Sequence, residues 1–392
     1  MAGYRSESDK HSGRTVSALP KENQPRCWAE IDLGAIRENA RTSSDLSQCG
    51  VIAIIKANGY GIGAVPVAKS LEKSVAMLGV ANVREGAELR EAKIRVPILV
   101  LGTCLPIERP AVIKHQLVPC VSSLVEAREW DALAGGMGVT KLKIHIVIDT
   151  GMGRVGFLAE SWTPAVMNSL RRLKNLGLDG LCSHFPSADE DIQFTREQIQ
   201  KFGAVRTSAL EHGLRPSMIH LGNSAGILGY PELPAVSSFA RPGLMLYGVS
   251  PLPKKQHLLR RVLSLKSRIV LIRDLPKGHG ISYGRSFITQ KPLRVATLSV
   301  GYADGYPRGL SGQKAEVLIQ GQRCRVLGRV TMDQVMVDVT RVPARIGDEV
   351  TLIGKQSHEE ITMAEVAKKA GTIPWEILTR MTTRVERVYK ES

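Results

Sequence analysis

The sequence predicts an α/β protein with an N-terminal (β/α)8 barrel followed by a mostly-β domain. Short apolar runs alternate with amphipathic stretches up to about residue 262. Beyond that point, strand-like segments are separated by turn residues and helices become few. The length of 392 residues also exceeds that of one compact globule. We therefore expect a tail over residues 1–26, a barrel over 27–262 and a second domain over 263–392.

Eight apolar runs are the candidate barrel strands. The first is continuously apolar, as in a parallel strand that is covered on both faces. The runs are Val51–Ile55, Met77–Val80, Ile98–Leu101, Val118–Val121, Leu142–Ile148, Leu178–Ser183, Met218–Leu221 and Phe239–Leu246. The helices predicted between them include Glu85–Lys93, Leu124–Leu133 and Thr195–His212. A doubly wound open sheet is the alternative, but eight units over about 210 residues fit the barrel's usual size better.

The second domain is predicted from strand-like segments bounded by glycine and proline turns. These segments are Ser267–Ile272, Arg294–Val300, Ala315–Ile319, Cys324–Val330, Val335–Val339 and Glu349–Ile353. One clear helix, Met363–Ala370, interrupts them. The pattern is typical of a β domain with a small helical part.

Composition and charge narrow the classes of partner and compartment. The formal net charge is +16, and the densest basic run, 254–273, is interleaved with aliphatic residues and lacks aromatic ones. We interpret this run as a solvated face rather than a nucleic-acid groove. No apolar run approaches the roughly 20 residues of a membrane span. The six cysteines have no paired spacing, which indicates reduced thiols in a cytoplasmic protein and neither a disulfide framework nor a metal site.

The first 26 residues are polar and contain no apolar core of a secretory signal. A disordered tail is the interpretation that this composition favours. An organelle transit peptide is the alternative, and Glu7 and Asp9 argue against it because such peptides are poor in acidic residues.

Catalytic groups of a barrel lie where its strands end, at the carboxyl face. The first strand is followed directly by Lys56. Burial there would lower the pKa of the amine and make it a nucleophile, whereas the alternative is a lysine that reaches solvent or pairs with a carboxylate. The glycines of the following GYGIG segment have the wrong spacing for a dinucleotide-binding loop.

Further polar groups follow the later strands. Arg154 ends the segment DTGMGR after the fifth strand, and His184 follows the sixth. Asn223 and Ser224 lie in a small-residue loop after the seventh strand, and Arg241 begins an Arg-Pro-Gly segment in the eighth. Each of these alone is also explained as an ordinary turn or a structural side chain. Loops after strands seven and eight form the usual phosphate site of such barrels, so together with Lys56 they indicate pyridoxal 5′-phosphate.

Across residues 27–389 the sequence resembles the alanine racemases. The matching segments, in chain order, are AEIDLGAIRENA, KANGYGIG, DTGMGRVGF, SHF, GNSAGIL, RPGLMLYG, ISYGRSF, SVGYADGYPRG, GRVTMDQVMVDV, IGDEVTLIG and GTIPWEILTRMTTRVERVY. The resemblance implies a barrel with a C-terminal β domain, and a cytoplasmic homodimer whose second domain completes the partner's active site. It also implies that D-alanine, a peptidoglycan precursor, is the product.

The resemblance also implies residue roles. Lys56 would hold the cofactor and act as the base on the D-face, while Tyr283 of the partner subunit would act on the L-face. Arg241 would face the pyridine nitrogen, and His184 with Arg241 would assist the tyrosine. The implied cofactor-binding residues are Lys56, Tyr60, His184, Asn223, Ser224, Arg241, Gly243, Leu244 and Tyr247. The implied substrate-binding residues are Arg154, Tyr302, Met332 and Asp333.

Two positions depart from the family pattern. The family usually has a lysine, often carbamylated, where this chain has Val147, and it often has a cysteine where this chain has Thr331. Valine supplies no anion to brace Arg154, so a bound chloride or another acid would have to do so. A racemase of broader substrate range is the alternative function. A decarboxylase of basic amino acids is disfavoured, because that chemistry needs a carboxylate rather than Arg241 at the pyridine nitrogen.

Overall fold

The computed structural model describes residues 25–392. The tail predicted over residues 1–26 therefore lies outside the described residues, except for Pro25 and Arg26. The described chain forms a closed parallel barrel and a second, mostly antiparallel sheet, with a hydrophobic core that runs from one into the other.

The strands, numbered in chain order, are β1 Cys27–Asp32, β2 Gly50–Ile54, β3 Met77–Val80, β4 Ile98–Val100, β5 Val118–Val121, β6 Leu142–Asp149, β7 Phe157–Leu158, β8 Leu176–Cys182, β9 Met218–His220, β10 Phe239–Ala240, β11 Leu263–Leu275, β12 Gly280–Ile281, β13 Phe287–Ile288, β14 Leu293–Leu298, β15 Glu316–Ile319, β16 Gln322–Leu327, β17 Val335–Asp338, β18 Glu349–Gln356, β19 Glu359–Ile361 and β20 Glu386–Lys390.

The helices are α1 Leu33–Ser47, α2 Ala64–Leu71, α3 Val83–Glu91, α4 Arg109–Lys114, α5 Leu124–Gly136, α6 Pro164–Arg171, α7 Ile192–Glu211, α8 Ser224–Gly229, α9 Met363–Ala370 and α10 Pro374–Thr379. Side-chain caps explain where several of these helices begin. Ser123 accepts a hydrogen bond from the backbone of Glu126 at the start of α5, and Thr362 does the same for Glu365 at the start of α9. In the described part of the chain, no helix combines the length and apolar character needed to cross a membrane.

The predicted barrel is confirmed. Strands β2, β3, β4, β5, β6, β8, β9 and β10 pair in parallel, and the β5–β6 and β10–β2 ladders close the ring. The core strands are buried along nearly their whole length, which is why the sequence reads as continuous apolar runs there. Closure brings the carboxyl ends of all these strands to one face of the barrel.

The eighth strand is shorter than predicted. The expected strand over Phe239–Leu246 ends at Ala240, and residues Leu244–Tyr247 form a short 3-10 turn. Pro242 has no backbone N–H to donate to a sheet ladder, so the strand cannot continue through it. The apolar character of 244–247 reflects burial of this turn rather than a strand.

The second sheet has the order β19-β18-β15-β16-β17-β14-β11-β1-β20, and it confirms the predicted C-terminal β domain. The predicted division at residue 262 needs one correction. Strand β1 pairs with β11 and β20, so residues 27–32 belong to this sheet and not to the barrel. Strand pairing joins segments far apart in sequence, and local patterning carries no signal of such a partner.

Candidate functional site

The main cavity lies at the carboxyl face of the barrel and has a volume of about 790 Å³. Residues from most of the barrel strands line it, with a few from the second domain. They include Lys56, Tyr60, Cys120, Val147, Arg154, Cys182, His184, Asn223, Ser224, Arg241, Gly243, Leu244, Ile373, Trp375, Glu376 and Thr379. The structure therefore brings together the predicted lysine, histidine, both arginines and the small-residue loops.

Lys56 is partly buried in this cavity, two residues after the end of β2. The pKa of its amine lies below the usual value, first because burial disfavours the ammonium form and second because Arg154 and Arg241 lie nearby. Glu85 acts in the opposite direction. An amine with a lowered pKa in a cavity is able to act as a nucleophile and a base.

The segment after Lys56 is a left-handed turn, which sequence reasoning missed. Ala57, Asn58, Gly59 and Tyr60 all have φ between 53° and 61°. This conformation costs roughly 1–2 kcal/mol for each residue other than glycine, so other contacts must hold it. Glu85 accepts hydrogen bonds from the backbone N–H groups of Ala57 and Ala81, at 2.8 and 2.7 Å. The turn fixes the direction in which Lys56 enters the cavity.

A cradle of small residues lines the same cavity as the lysine. A Cβ atom at Gly243 would lie 2.4 Å from the hydroxyl oxygen of Tyr60, so only glycine leaves room for the tyrosine there. Ser224 Oγ accepts hydrogen bonds from the backbone of Gly243 and Met245, at 3.0 and 3.2 Å. The first N–H groups of α8, at Ser224 and Ala225, have no acceptor within the helix. The cradle thus offers donors to an anion.

Tyr247 lies behind this cradle. Its ring stacks on Tyr60 with centroids 4.5 Å apart, and its hydroxyl donates to the carbonyl of Ile54 at 3.1 Å. In the described part of the chain it is not among the residues that line the cavity. Tyr247 therefore supports Tyr60 from behind.

Arg241 is buried and held by five acceptors. Nη1 donates to the carbonyl and Nδ1 of His220, each at 2.7 Å, and Nη2 donates to His184 Nδ1 at 3.0 Å and to the carbonyls of Ser183 and Leu221. A guanidinium only donates hydrogen bonds. His184 must therefore accept at Nδ1 and carry its proton on Nε2. Burial, then Arg241, holds the pKa of His184 well below its usual value.

Arg154 is placed by its loop rather than by a charged partner. The Asp149 carboxylate accepts hydrogen bonds from the backbone of Gly151, Met152 and Gly153 at 2.8–2.9 Å, which folds the loop. Val147 is buried in the cavity wall below it. The only strand lysine near this register, Lys143, faces Asp179 at 3.4 Å instead. Within residues 25–392, no ion pair to Arg154 is present.

The four remaining predicted site residues lie on the surface of the second domain. Tyr283, Met332 and Tyr302 expose 72%, 52% and 40% of their area, and Asp333 pairs with Arg384 at 2.8 Å. In the described residues, none of the four lines the cavity of its own protomer. The residue before Tyr283, Ser282, has φ 65° and ψ 178°, a region normally restricted to glycine. Its hydroxyl donates to the carbonyl of Arg329 at 2.8 Å, which anchors the backbone next to Tyr283.

Other cavity residues were not predicted. Ile373, Trp375, Glu376 and Thr379 reach the cavity from the start and end of α10. The segment from Ile373 onward was matched as part of the resemblance, but no local feature of the sequence indicates that α10 folds against the barrel mouth. Its contacts with the left-handed turn are long-range: a Cβ atom at Gly61 would lie 2.4 Å from the carbonyl oxygen of Leu378.

The buried histidines predict a loss of stability in acid. Burial holds the pKa of His145 below, and those of His184 and His220 well below, the usual value. Below about pH 6.5 the unfolded chain binds these protons and the folded chain does not, so the free energy of unfolding falls with falling pH. The slope reaches at most about 4 kcal/mol per pH unit for the three groups together.

Urea unfolding of the full-length protein between pH 7.5 and 5 measures this slope. His145→Gln is expected to lower the slope by at most about a third, since one of three groups is lost and its pKa is the least lowered of the three. His358→Gln, at an exposed position, is the matched control and is expected to leave the slope unchanged. A free energy of unfolding that is constant across this range contradicts the prediction.

Comparison with known proteins identifies the family. The family model for the alanine racemase N-terminal domain matches residues 31–251, and that for the alanine racemase C-terminal domain matches residues 262–389. The chain belongs to the alanine racemase family. The division between the two matches agrees with the start of β11 at Leu263.

Related sequences and solved structures agree with this membership. Alanine racemase of Methylacidiphilum infernorum is 40% identical over 93% of both chains, and that of Halothermothrix orenii is 41% identical over 93% of this chain and 96% of its own. The solved alanine racemase of Clostridium difficile superimposes with a TM-score of 0.86 at 36% identity, covering 94% of this chain and 97% of that one. That of Streptomyces lavendulae gives 0.87 at 34% identity, covering 94% and 98%.

This family member is therefore an isomerase that interconverts the two enantiomers of alanine. The alternative of a decarboxylase finds no support in these matches. The predicted family and the predicted fold are both confirmed.

Proposed function

We propose that the chain racemizes alanine with pyridoxal 5′-phosphate and two bases on opposite faces of the substrate. Lys56 serves the D-face and Tyr283 of the partner subunit serves the L-face. The observation that carries this proposal is a lysine amine with a lowered pKa in the cavity wall, in the same cavity as an anion cradle and near a buried arginine. When bound, the cofactor supplies an electron sink that makes the α-proton of the amino acid acidic.

The residues of the cavity fit this cofactor. Lys56 offers an amine that can bond to a carbonyl carbon. The hydroxyl groups of Tyr60 and Ser224 offer donors to a phosphate, and Gly243 leaves the space that the Tyr60 hydroxyl occupies. Asn223 and Leu244 border the same cradle. The buried guanidinium of Arg241 fits an unprotonated ring nitrogen, because a guanidinium only donates hydrogen bonds and the ring nitrogen must then accept one.

The roles of the remaining cavity residues follow from their charge and tautomer. Arg154 is exposed at the cavity mouth and is free of a protein carboxylate within the described residues, so it is available to a substrate carboxylate. His184 presents its Nε2–H group, since Arg241 occupies Nδ1. This donor suits a phenol oxygen that must lose its proton near neutral pH, far below its reference pKa of about 10.

We also propose a homodimer with shared active sites. The support is the exposed surface of Tyr283, Tyr302 and Met332, which lies away from the cavity of the same protomer and carries apolar area that a monomer gains nothing by exposing. The strained Ser282 backbone keeps Tyr283 on this surface. In the dimer, Met332, Asp333 and Tyr302 of the partner subunit then close the cavity around the substrate carboxylate and side chain.

The cytoplasm is the compartment we infer. All six cysteines lie in the described chain, each is free and each is buried, as is usual where thiols stay reduced. D-alanine made there is available as a peptidoglycan precursor.

Trapping of the cofactor tests the proposal. Borohydride reduction of the full-length protein loaded with pyridoxal phosphate should fix one cofactor per chain to Lys56, identified by peptide mass mapping. Lys69→Ala, an exposed lysine on α2, should label as well as the unaltered chain, whereas Lys56→Ala should not label. Attachment to any other lysine, or none at all, would show that the cofactor assignment is wrong.

A further inference from the structure

Two histidines in the centre of the barrel extend the contacts of Arg241 away from the cavity. His145 on β6 and His220 on β9 are both fully buried, and their rings lie with Nδ1 of His145 2.7 Å from Nε2 of His220. Val147 lines the cavity two residues after His145, so His145 faces the barrel interior as well. Burying two imidazoles inside a barrel is costly unless their polar atoms are paired.

Arg241 determines the direction of the hydrogen bonds that join it to His220 and His220 to His145. Its Nη1 can only donate, so Nδ1 of His220 accepts and Nε2 of His220 carries the proton. That proton is donated to Nδ1 of His145, which places the proton of His145 on Nε2. Both rings are neutral because burial disfavours their charged form, holding the pKa of His220 well below and that of His145 below the usual value.

Asp179 is the last side chain in this series, beyond His145. Nε2 of His145 faces Asp179 Oδ2 at 3.9 Å and has no closer acceptor among residues 25–392. Ser217 Oγ donates to Asp179 Oδ1 at 2.9 Å and Lys143 Nζ lies 3.4 Å from Oδ2, so the carboxylate is held from the far side. The facing His145 is the largest cause that lowers the pKa of Asp179 to about 2.

The backbone is built for this arrangement. The β6–β8 ladder runs from Ile144 opposite Leu178 to His145 opposite Gly180, so Asp179 is an extra residue without a partner in the ladder. Such a bulge re-aims a side chain, here toward His145. Gly180 leaves space for the ring, since a Cβ atom there would lie 2.3 Å from His145 Cγ.

We infer that Asp179, His145 and His220 form a positioning relay that runs through the barrel and holds Arg241, and through it the tautomer of His184, from the face opposite the active site. The two neutral imidazoles run from the buried guanidinium toward a carboxylate counter-charge, with 3.9 Å between His145 Nε2 and Asp179 Oδ2. They also leave Nη2 of Arg241 directed at His184. The effect on catalysis rests on the proposed placement of the cofactor against Arg241. The polarity of the relay, meaning which ring nitrogens of His145 and His220 carry protons, does not.

Nitrogen-15 NMR of histidine rings in the full-length protein, with and without pyridoxal phosphate, tests the polarity. At pH 7.5 both His145 and His220 should be neutral with the proton on Nε2, and His145→Gln should shift the ring signals of His220 but not those of exposed His358. A proton on Nδ1 of either ring, or a charged ring, would overturn the relay. This readout holds whether or not the proposed cofactor chemistry is right.

Kinetics test the positioning role. Asp179→Asn should lower kcat about tenfold and leave KM for alanine within about twofold, as for a residue that acts through another. Asp179→Glu should recover most of the loss, and Ser217→Ala, which removes a donor to the same carboxylate outside the relay, should retain kcat within about twofold. An Asp179→Asn enzyme with the kcat of the unaltered chain would refute the role.

Discussion

Lys56→Ala is expected to lower the rate of alanine racemization by about a thousandfold or more. A positioned acid–base contributes about 10²–10⁴-fold, and the alanine variant also loses the amine that holds the cofactor. The left-handed turn after residue 56 is maintained by Glu85 and Asn58, so the cavity should keep its shape without the lysine side chain. The measurement is the rate of circular dichroism change with L-alanine.

Two control experiments show that the lower racemization rate of Lys56→Ala comes from the missing amine. Lys69→Ala removes an exposed lysine from the neighbouring helix α2 and should keep the full rate. Small primary amines added to Lys56→Ala should restore part of the rate, since they can occupy the vacated space and carry the proton. Retention of more than a tenth of the rate by Lys56→Ala would remove the lysine from the mechanism.

Tyr283→Phe should slow racemization by about 10²–10⁴-fold in both directions, because the phenol is lost as an acid–base and the two enantiomers have equal free energy. The two faces are distinguished by exchange of the α-proton in deuterium oxide. Exchange into D-alanine, carried by Lys56, should persist, while exchange into L-alanine should fall with the racemization rate. Equal loss from both enantiomers would contradict the assignment of Tyr283 to one face.

Tyr230→Phe is the matched control. The Tyr230 hydroxyl is buried without a hydrogen-bond partner in the described chain, so its removal should leave both exchange rates unchanged.

Mixing Lys56→Ala with Tyr283→Phe chains tests the shared site. In mixed dimers one of the two sites holds both residues, so an equal mixture should regain about a quarter of the full rate. No recovery after exchange of subunits would place both residues in one chain.

Elements with a strong local signal were predicted closely. Strands β3 and β5 and helix α9 have the predicted bounds, and Lys56 lies where the first apolar run ends. A strand that is buried on both faces must be apolar at every position, and this requirement is readable in four or five residues. The family segments then supplied roles for residues whose individual patterns left alternatives open.

Features that depend on distant partners were missed or misplaced. Strand β1 was assigned to the barrel block because its partners, β11 and β20, lie more than two hundred residues away. The left-handed turn after Lys56 depends on Glu85, and nothing in KANGY alone requires four successive residues with positive φ. Val147 offers no anion to Arg154. The Asp149 carboxylate instead accepts hydrogen bonds from the backbone of the loop that carries Arg154, but it does not contact the guanidinium.

The sequence by itself determined the barrel, the second domain, the family and the lysine at the end of the first barrel strand, because periodicity and motif are local properties of the chain. Only the tertiary structure decided that a strained Ser282 precedes the exposed Tyr283, that Arg241 sets the tautomer of His184, and that Asp179 lies on a bulge facing His145. These facts depend on the register of strands and on the direction of single hydrogen bonds. A shift of one residue in register turns a side chain to the opposite face, and no local pattern records it.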